Sequence, residues 1–235
     1  MSSSALSRRG LFHTLACGCA ALPTVMFAGP LAAAGVPKTS LTADQALALL
    51  KEGNAAFVKG GACVPAGGAA KIAPFAAGQA PFAAVVGCSD SRIPPELVFE
   101  RGLGELFVVR VAGNTVDRSA LGSIEYAVKA LGCPLIVVLG HDSCGAVEAA
   151  VSIVTKKMRY PGALGDMIKP ILPAVAVAQK AGGDLVAASV RANVVRVVSQ
   201  LKASERTITD PLKAGRLKIV GGVYRLANGA VDFIV

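Results

Sequence analysis

The sequence runs to 235 residues, 53% hydrophobic and only 17% charged, with a formal net charge of +9. That length suits one domain with a real core plus extensions. The basic residues form no dense block, Trp is absent and the few aromatics are scattered, so no nucleic-acid partner is expected; the charge reads as that of an ordinary basic protein, or else as a field that draws in a small anion.

Residues 1–34 read as a cleavable export signal. Arg8-Arg9 precede a weakly apolar segment from Leu15 to Phe27, and Ala32-Ala33-Ala34 supplies a cleavage pattern. The paired arginines resemble a twin-arginine signal, so the chain is expected to be exported already folded, to a periplasmic or secreted location. Pro23, Gly29 and Pro30 interrupt the segment, and it is short for a membrane span, so no stable membrane anchor is expected.

Residues 35–81 are expected to form an N-terminal helical arm. The pattern Leu41, Ala46, Leu47, Leu50, Ala55, Phe57 predicts an amphipathic helix from Leu41 to Gly60, capped by Thr42 or Ser40, with Asp44 in its first turn. Residues 61–81, rich in Gly, Ala and Pro, read as loop.

Residues 82–235 alternate as an α/β core should, with a central, mostly parallel sheet flanked by helices. Strands are predicted at 82–88, 106–111, 134–140, 217–224 and 230–235, the last two joined by an Asn228-Gly229 turn. Helices are predicted from Pro94-Pro95-Glu96, over 119–131, from near Cys144, over 164–181 with a break forced by Pro170 and Pro173, and over 184–202.

Two short motifs each follow an apolar strand: Cys88-Ser89-Asp90-Ser91-Arg92 and His141-Asp142-Ser143-Cys144-Gly145. In open α/β sheets functional groups gather beyond the carboxyl ends of the strands. If the two strands are neighbours, Cys88, His141 and Cys144 converge, and two thiolates with one imidazole suit Zn2+. Cys133 precedes its strand and so stands at the wrong end, while Cys63 lies in the irregular stretch. Water or Asp90 is left for a fourth position, which gives a site that can open for chemistry. The rival reading is a redox pair of Cys88 and Cys144.

These motifs, with Glu105 to Arg110, Ala112-Gly113-Asn114, Ser123 to Val128 and Gly221 to Tyr224, resemble the β-class carbonic anhydrases over about residues 41–235. The resemblance implies a Rossmann-like fold whose N-terminal arm embraces a partner subunit, in a homodimer or higher homo-oligomer. It implies a zinc enzyme, a lyase, that reversibly hydrates CO2 to bicarbonate and a proton by means of hydroxide on the metal. Carried over by position, Cys88, His141 and Cys144 hold zinc, and Asp90 and Arg92 form the catalytic dyad, with Asp90 as a fourth ligand in a closed state. Gln79, Phe107, Tyr126 and Gly145 line the substrate pocket, the two aromatics closing it from the neighbouring subunit.

Two thiolates donate more charge than three imidazoles, so activity should favour alkaline pH. The sequence departs from the family at Val111, where many members carry Asn, and no Trp is present for the regulatory bicarbonate pocket of some bacterial members. Hydrolysis of carbon disulfide or carbonyl sulfide on the same fold, and a non-catalytic zinc or redox protein, are the alternative readings.

Overall fold

Runs of Val, Ile, Leu and Ala make the centre of the molecule. The computed structural model describes residues 38–61 and 72–235; the expected export signal and Cys63 lie outside these. Five strands, β1 (Ala83–Gly87), β2 (Leu106–Arg110), β3 (Leu135–His141), β4 (Lys218–Tyr224) and β5 (Val231–Phe233), form one sheet in the order β2-β1-β3-β4-β5. The first three pairings along that order are parallel and the last, β4 with β5, is antiparallel. Every residue of β1 and β3 is buried, as continuous apolar runs between two helical layers require. From β1 the chain moves outward to β2, then returns to β3 on the other side of β1. Such a reversal opens a crevice at the carboxyl ends of β1 and β3, where ligands bind in folds of this kind.

The helices are α1 (Ala43–Val58), α2 (Pro95–Val98), α3 (Arg118–Lys129), α4 (Gly145–Lys156), α5 (Gly162–Ile168), α6 (Leu172–Ala181), α7 (Leu185–Lys202) and α8 (Arg206–Lys213). Thr42 and Gln45 close a reciprocal capping box on α1. Asn54, buried within α1, donates to the carbonyls of Val98 (3.1 Å) and Gly229 (2.8 Å) and accepts from Val231 N–H (2.8 Å). One amide thereby ties α1 to α2 and to the β4–β5 hairpin of its own chain. The expected 164–181 helix is broken as predicted, with a 3-10 turn over Lys169–Ile171 between α5 and α6.

Two elements depart from expectation. Helix α8 was not anticipated, and a 3-10 turn over Ala73–Ala77 occupies part of the stretch read as loop. In α8 Ile208 is buried and Leu212 packs against the core, an apolar face only one turn long, and Pro211 inside the helix spoils a clean helical composition.

Helix α7 lies unusually close to the sheet. A Cβ on Gly140 of β3 would stand 2.6 Å from Val194 Cγ2, and one on Gly221 of β4 would stand 2.6 Å from Val194 Cγ1. The missing side chains let the Val190, Val194 and Val198 face of α7 press on the strands. Among the described residues no helix is long and apolar enough to cross a membrane.

Candidate metal centre

The sheet register assembles the site. Strand β1 ends at Gly87, opposite Leu139 of β3, so Cys88 and His141 leave adjacent strands at the same end of the sheet. The chain then turns through Ser143, at a left-handed φ of 49°, and Cys144 serves as the N-cap residue of α4. Cys88, His141 and Cys144 are buried, and their ligand atoms all lie within 4.8 Å of one another.

Three observations fit this group to a metal ion. The Cys88 and Cys144 sulfurs are 4.0 Å apart, twice the about 2.05 Å of a disulfide. That spacing is close to the about 3.8 Å edge of a tetrahedron with metal–sulfur bonds of about 2.3 Å. His141 Nδ1 lies 2.8 Å from the Asp142 carbonyl, so Nδ1 carries the proton and Nε2 keeps its lone pair. Nε2 is buried without a hydrogen-bond partner, and a bound cation satisfies it. A redox pair gains no support from the geometry: Cys88, Cys133 and Cys144 are all free thiols.

The electrostatics point the same way. Hydrogen bonding from the Cys144 thiol, joined by His141 and by the N–H groups of Gly113 and Asp90, holds the Cys88 thiol far below its ordinary pKa, although burial opposes this. Cys144 moves upward, because the Cys88 thiolate beside it and then burial both oppose its ionisation. Burial pushes His141 down, but hydrogen bonding and the charge of Cys88 outweigh it and the net shift is upward. Negative charge is concentrated on the sulfurs, which is what a divalent cation needs.

Asp90 and Arg92 stand at the edge of this group. Arg92 donates from Nε to Asp90 Oδ1 (2.9 Å) and from Nη2 to Asp90 Oδ2 (2.7 Å), a bidentate pair. The Arg92 guanidinium holds the Asp90 carboxyl well below the usual carboxylate range. Asp90 Oδ2 is 3.9 Å from His141 Nε2, so the carboxylate borders the centre while paired away from it.

The other residues singled out from the sequence are more dispersed. Phe107 of β2 and Tyr126 of α3 face each other with ring centroids 6.2 Å apart, Phe107 half-buried and Tyr126 exposed. Gly145 is the first residue of α4, and a Cβ there would meet open space. Gln79 is exposed between the 3-10 turn and β1. Cys133 is buried, bonded to the Leu135 carbonyl, at the amino end of β3 away from the centre.

Sequence reasoning overlooked two supports. Arg110, at the end of β2, donates from Nε to the Cys88 carbonyl (2.8 Å) and from Nη2 to the Asp90 carbonyl (2.5 Å). Gly113 N–H lies 3.2 Å from Cys88 Sγ. Their cue was present in the Val109 to Asn114 stretch, but only as part of a family pattern.

The same fold recurs in known proteins. The carbonic anhydrase family profile matches residues 83–231. A carbonic anhydrase of Mycolicibacterium smegmatis is 44% identical over 183 residues, covering 78% of this chain and 89% of that protein. Carbonic anhydrase 2 of Mycobacterium tuberculosis is 42% identical over 180 residues, covering 77% and 87%. Among solved structures, a tetrameric β-carbonic anhydrase of the ascomycete Sordaria macrospora superposes with a TM-score of 0.64 at 28% identity, over 69% of this chain and 85% of that one. The Coccomyxa β-carbonic anhydrase in complex with acetazolamide gives 0.61 at 29% identity, over 69% and 75%. A mostly parallel α/β sheet with a Cys-His-Cys group at its carboxyl end is the class the fold and site define. The chain belongs to the carbonic anhydrase family, within its β class.

Proposed function

We propose that the protein catalyses the reversible hydration of CO2 to bicarbonate and a proton. The observation that carries this is the Cys88, His141 and Cys144 group with the Arg92-held Asp90 carboxylate at its border. Cys88, His141 and Cys144 would hold Zn2+, which supplies a Lewis acid at which water ionises near neutral pH. Asp90, ionised and immobilised, accepts a hydrogen bond at Oδ2 and so aims the attacking oxygen at CO2. Arg92 keeps that carboxylate from swinging onto the metal as a fourth ligand. Gln79, Phe107, Tyr126 and Gly145 are assigned to the substrate pocket by their positions in the family motifs, with the aromatic pair closing it.

The test is stopped-flow CO2 hydration by the zinc-loaded chain beginning after residue 34, beside Asp90→Ala and Cys144→Ser variants. Hydration by the parent and its loss in both variants are expected. No hydration at either neutral or mildly alkaline pH overturns the reading, and hydrolysis of carbon disulfide or carbonyl sulfide in its place would identify a different substrate on the same site.

A homo-oligomer accompanies this reading. Strand β2 is a sheet edge, and Leu97, Leu103 and Tyr126 are exposed around it. An open edge with apolar neighbours calls for a cover, and we assign that role to a second copy. Light scattering should give a dimer or larger assembly; a monomer at micromolar concentration contradicts it. Export by the Arg8-Arg9 signal is likewise proposed, and retention of an Arg8→Lys, Arg9→Lys variant in the cytoplasm is its test.

A further inference from the structure

Helix α7 is rich in valine, yet it carries a polar row that runs from buried Asn193 through half-buried Arg196 to exposed Gln200. Each member bonds to the next or to the segment that follows β2. Asn193 donates from Nδ2 to the Gly113 carbonyl (2.8 Å), and Gln200 donates from Nε2 to the Val116 carbonyl (3.0 Å). Between them, Arg196 donates from Nε to Asn193 Oδ1 (3.3 Å) and from Nη1 to Gln200 Oε1 (3.4 Å). Arginine has no acceptor, so Asn193 must turn its oxygen to Arg196 and its NH2 group to Gly113. The amide orientation is thus dictated rather than free.

Gly113 is the point on which this row acts. Its φ of 70° is left-handed, and a Cβ would stand 2.6 Å from Ile171 Cδ1 and 3.2 Å from Ala146 Cβ. It is wedged between the 3-10 turn and α4 with its carbonyl fixed by a side chain that is wholly buried. Its own N–H is aimed at Cys88 Sγ, 3.2 Å away.

We propose that Asn193 is a positioning residue for the metal centre, holding Gly113 so that its N–H hydrogen-bonds the Cys88 sulfur. The inference rests on the metal-binding reading of the centre and is independent of the reaction. The bond draws charge from the sulfur lone pair and so sets how strongly Cys88 donates to the metal. Partners of this kind fix ligand direction and donor strength, and their removal typically costs about 10- to 100-fold in metal affinity. A bland role, satisfying one buried carbonyl, would not reach the sulfur.

The experiment loads Co2+ into the parent, Asn193→Leu, Asn193→Asp and, as control, Gln200→Leu, which frees the same segment at Val116 but not at Gly113. Both Asn193 variants should shift the thiolate-to-cobalt charge-transfer band to longer wavelength and weaken zinc in chelator competition by about 10- to 100-fold. Gln200→Leu should leave the band in place. An unshifted band in a folded Asn193 variant, or an equal shift in Gln200→Leu, overturns the proposal. Absence of any thiolate band in the parent would instead sink the metal reading itself. Should the Asn193 variants not fold, the parent chain loaded with cadmium-113 decides. Scalar coupling between cadmium and the Gly113 amide proton is expected, and its absence while coupling to the cysteine β-protons is seen overturns the proposal.

Discussion

Asp90 and Arg92 are locked to each other, and only 3.9 Å separates Asp90 Oδ2 from His141 Nε2. A carboxylate that near a cluster of metal ligands is itself a potential ligand. Arg92→Ala releases it. The expected result is a fall in kcat of about 10²- to 10⁴-fold, the range lost with a positioned catalytic group, together with an added oxygen neighbour around zinc in X-ray absorption. Asp90→Ala should lower kcat similarly without that oxygen. An Arg92→Ala enzyme with unchanged turnover would show that the pair is an ordinary ion pair.

Arg110 grips the two carbonyls that bracket Ser89, those of Cys88 and Asp90. It therefore fixes the loop carrying both a metal ligand and the gating carboxylate. Arg110→Met should lower zinc affinity by about 10-fold, as loss of a partner behind the ligands does, and should lower kcat/KM with it. Competition with a chromogenic chelator measures the first effect. Unaltered zinc affinity would confine Arg110 to the surface of β2.

Gly140 precedes the ligand His141 and lies beneath α7. In Gly140→Ala the added methyl meets Val194 Cγ2 at 2.6 Å, so either α7 or β3 must move. Overpacking of this kind costs about 1–3 kcal/mol, and urea unfolding of the metal-free chain should register it. Pairing with Val194→Ala should recover much of the loss, since the two changes share one contact.

How far the sequence disclosed these relationships depends on the kind of signal each leaves. Cys88 and His141 were legible because each ends an apolar run, and the adjacency of β1 and β3 does the rest. The α5–α6 break was legible from Pro170, a residue that removes a donor whatever its surroundings. Helix α8 was not, because its two threonines and Pro211 speak against a helix and its apolar face, Ile208 and Leu212, is only one turn long. Asn193 and Asn54 escaped for another reason. A polar residue within a helix reads as solvent-facing, and its burial against a carbonyl from a distant segment has no local signature. Arg110 was visible only as a charged residue ending a strand.

Cys133 offers a contrast with the two cysteines of the centre. Burial pushes its thiol up to about 12, so at pH 8 only about one thiol in 10⁴ is ionised, and the thiolate is the reactive form. In a Cys63→Ser chain lacking the export signal, the zinc-loaded protein should therefore expose almost no thiol to a disulfide reagent. Chelation should release the Cys88 and Cys144 pair, with Cys133 reacting only on unfolding or at strongly alkaline pH. Rapid labelling of Cys133 in the folded zinc form would contradict its burial.

Proton removal is the last consequence of the residue inventory. The chain holds two histidines, His13 and His141. His13 lies in the segment read as the export signal, outside the described residues, and His141 is buried with Nε2 turned to the metal group. Asp90 cannot carry the proton away, because Arg92 holds its carboxyl well below the usual range and it binds a proton only weakly near neutral pH. Arg92 never releases one at any working pH. Among the described residues no histidine other than His141 stands at the centre to relay protons. The kcat of the chain beginning after residue 34 should climb with the concentration of an imidazole-type buffer and level off, while kcat/KM, which reports the CO2 step, should stay flat. A kcat indifferent to buffer would mean that another group in the assembly performs the transfer.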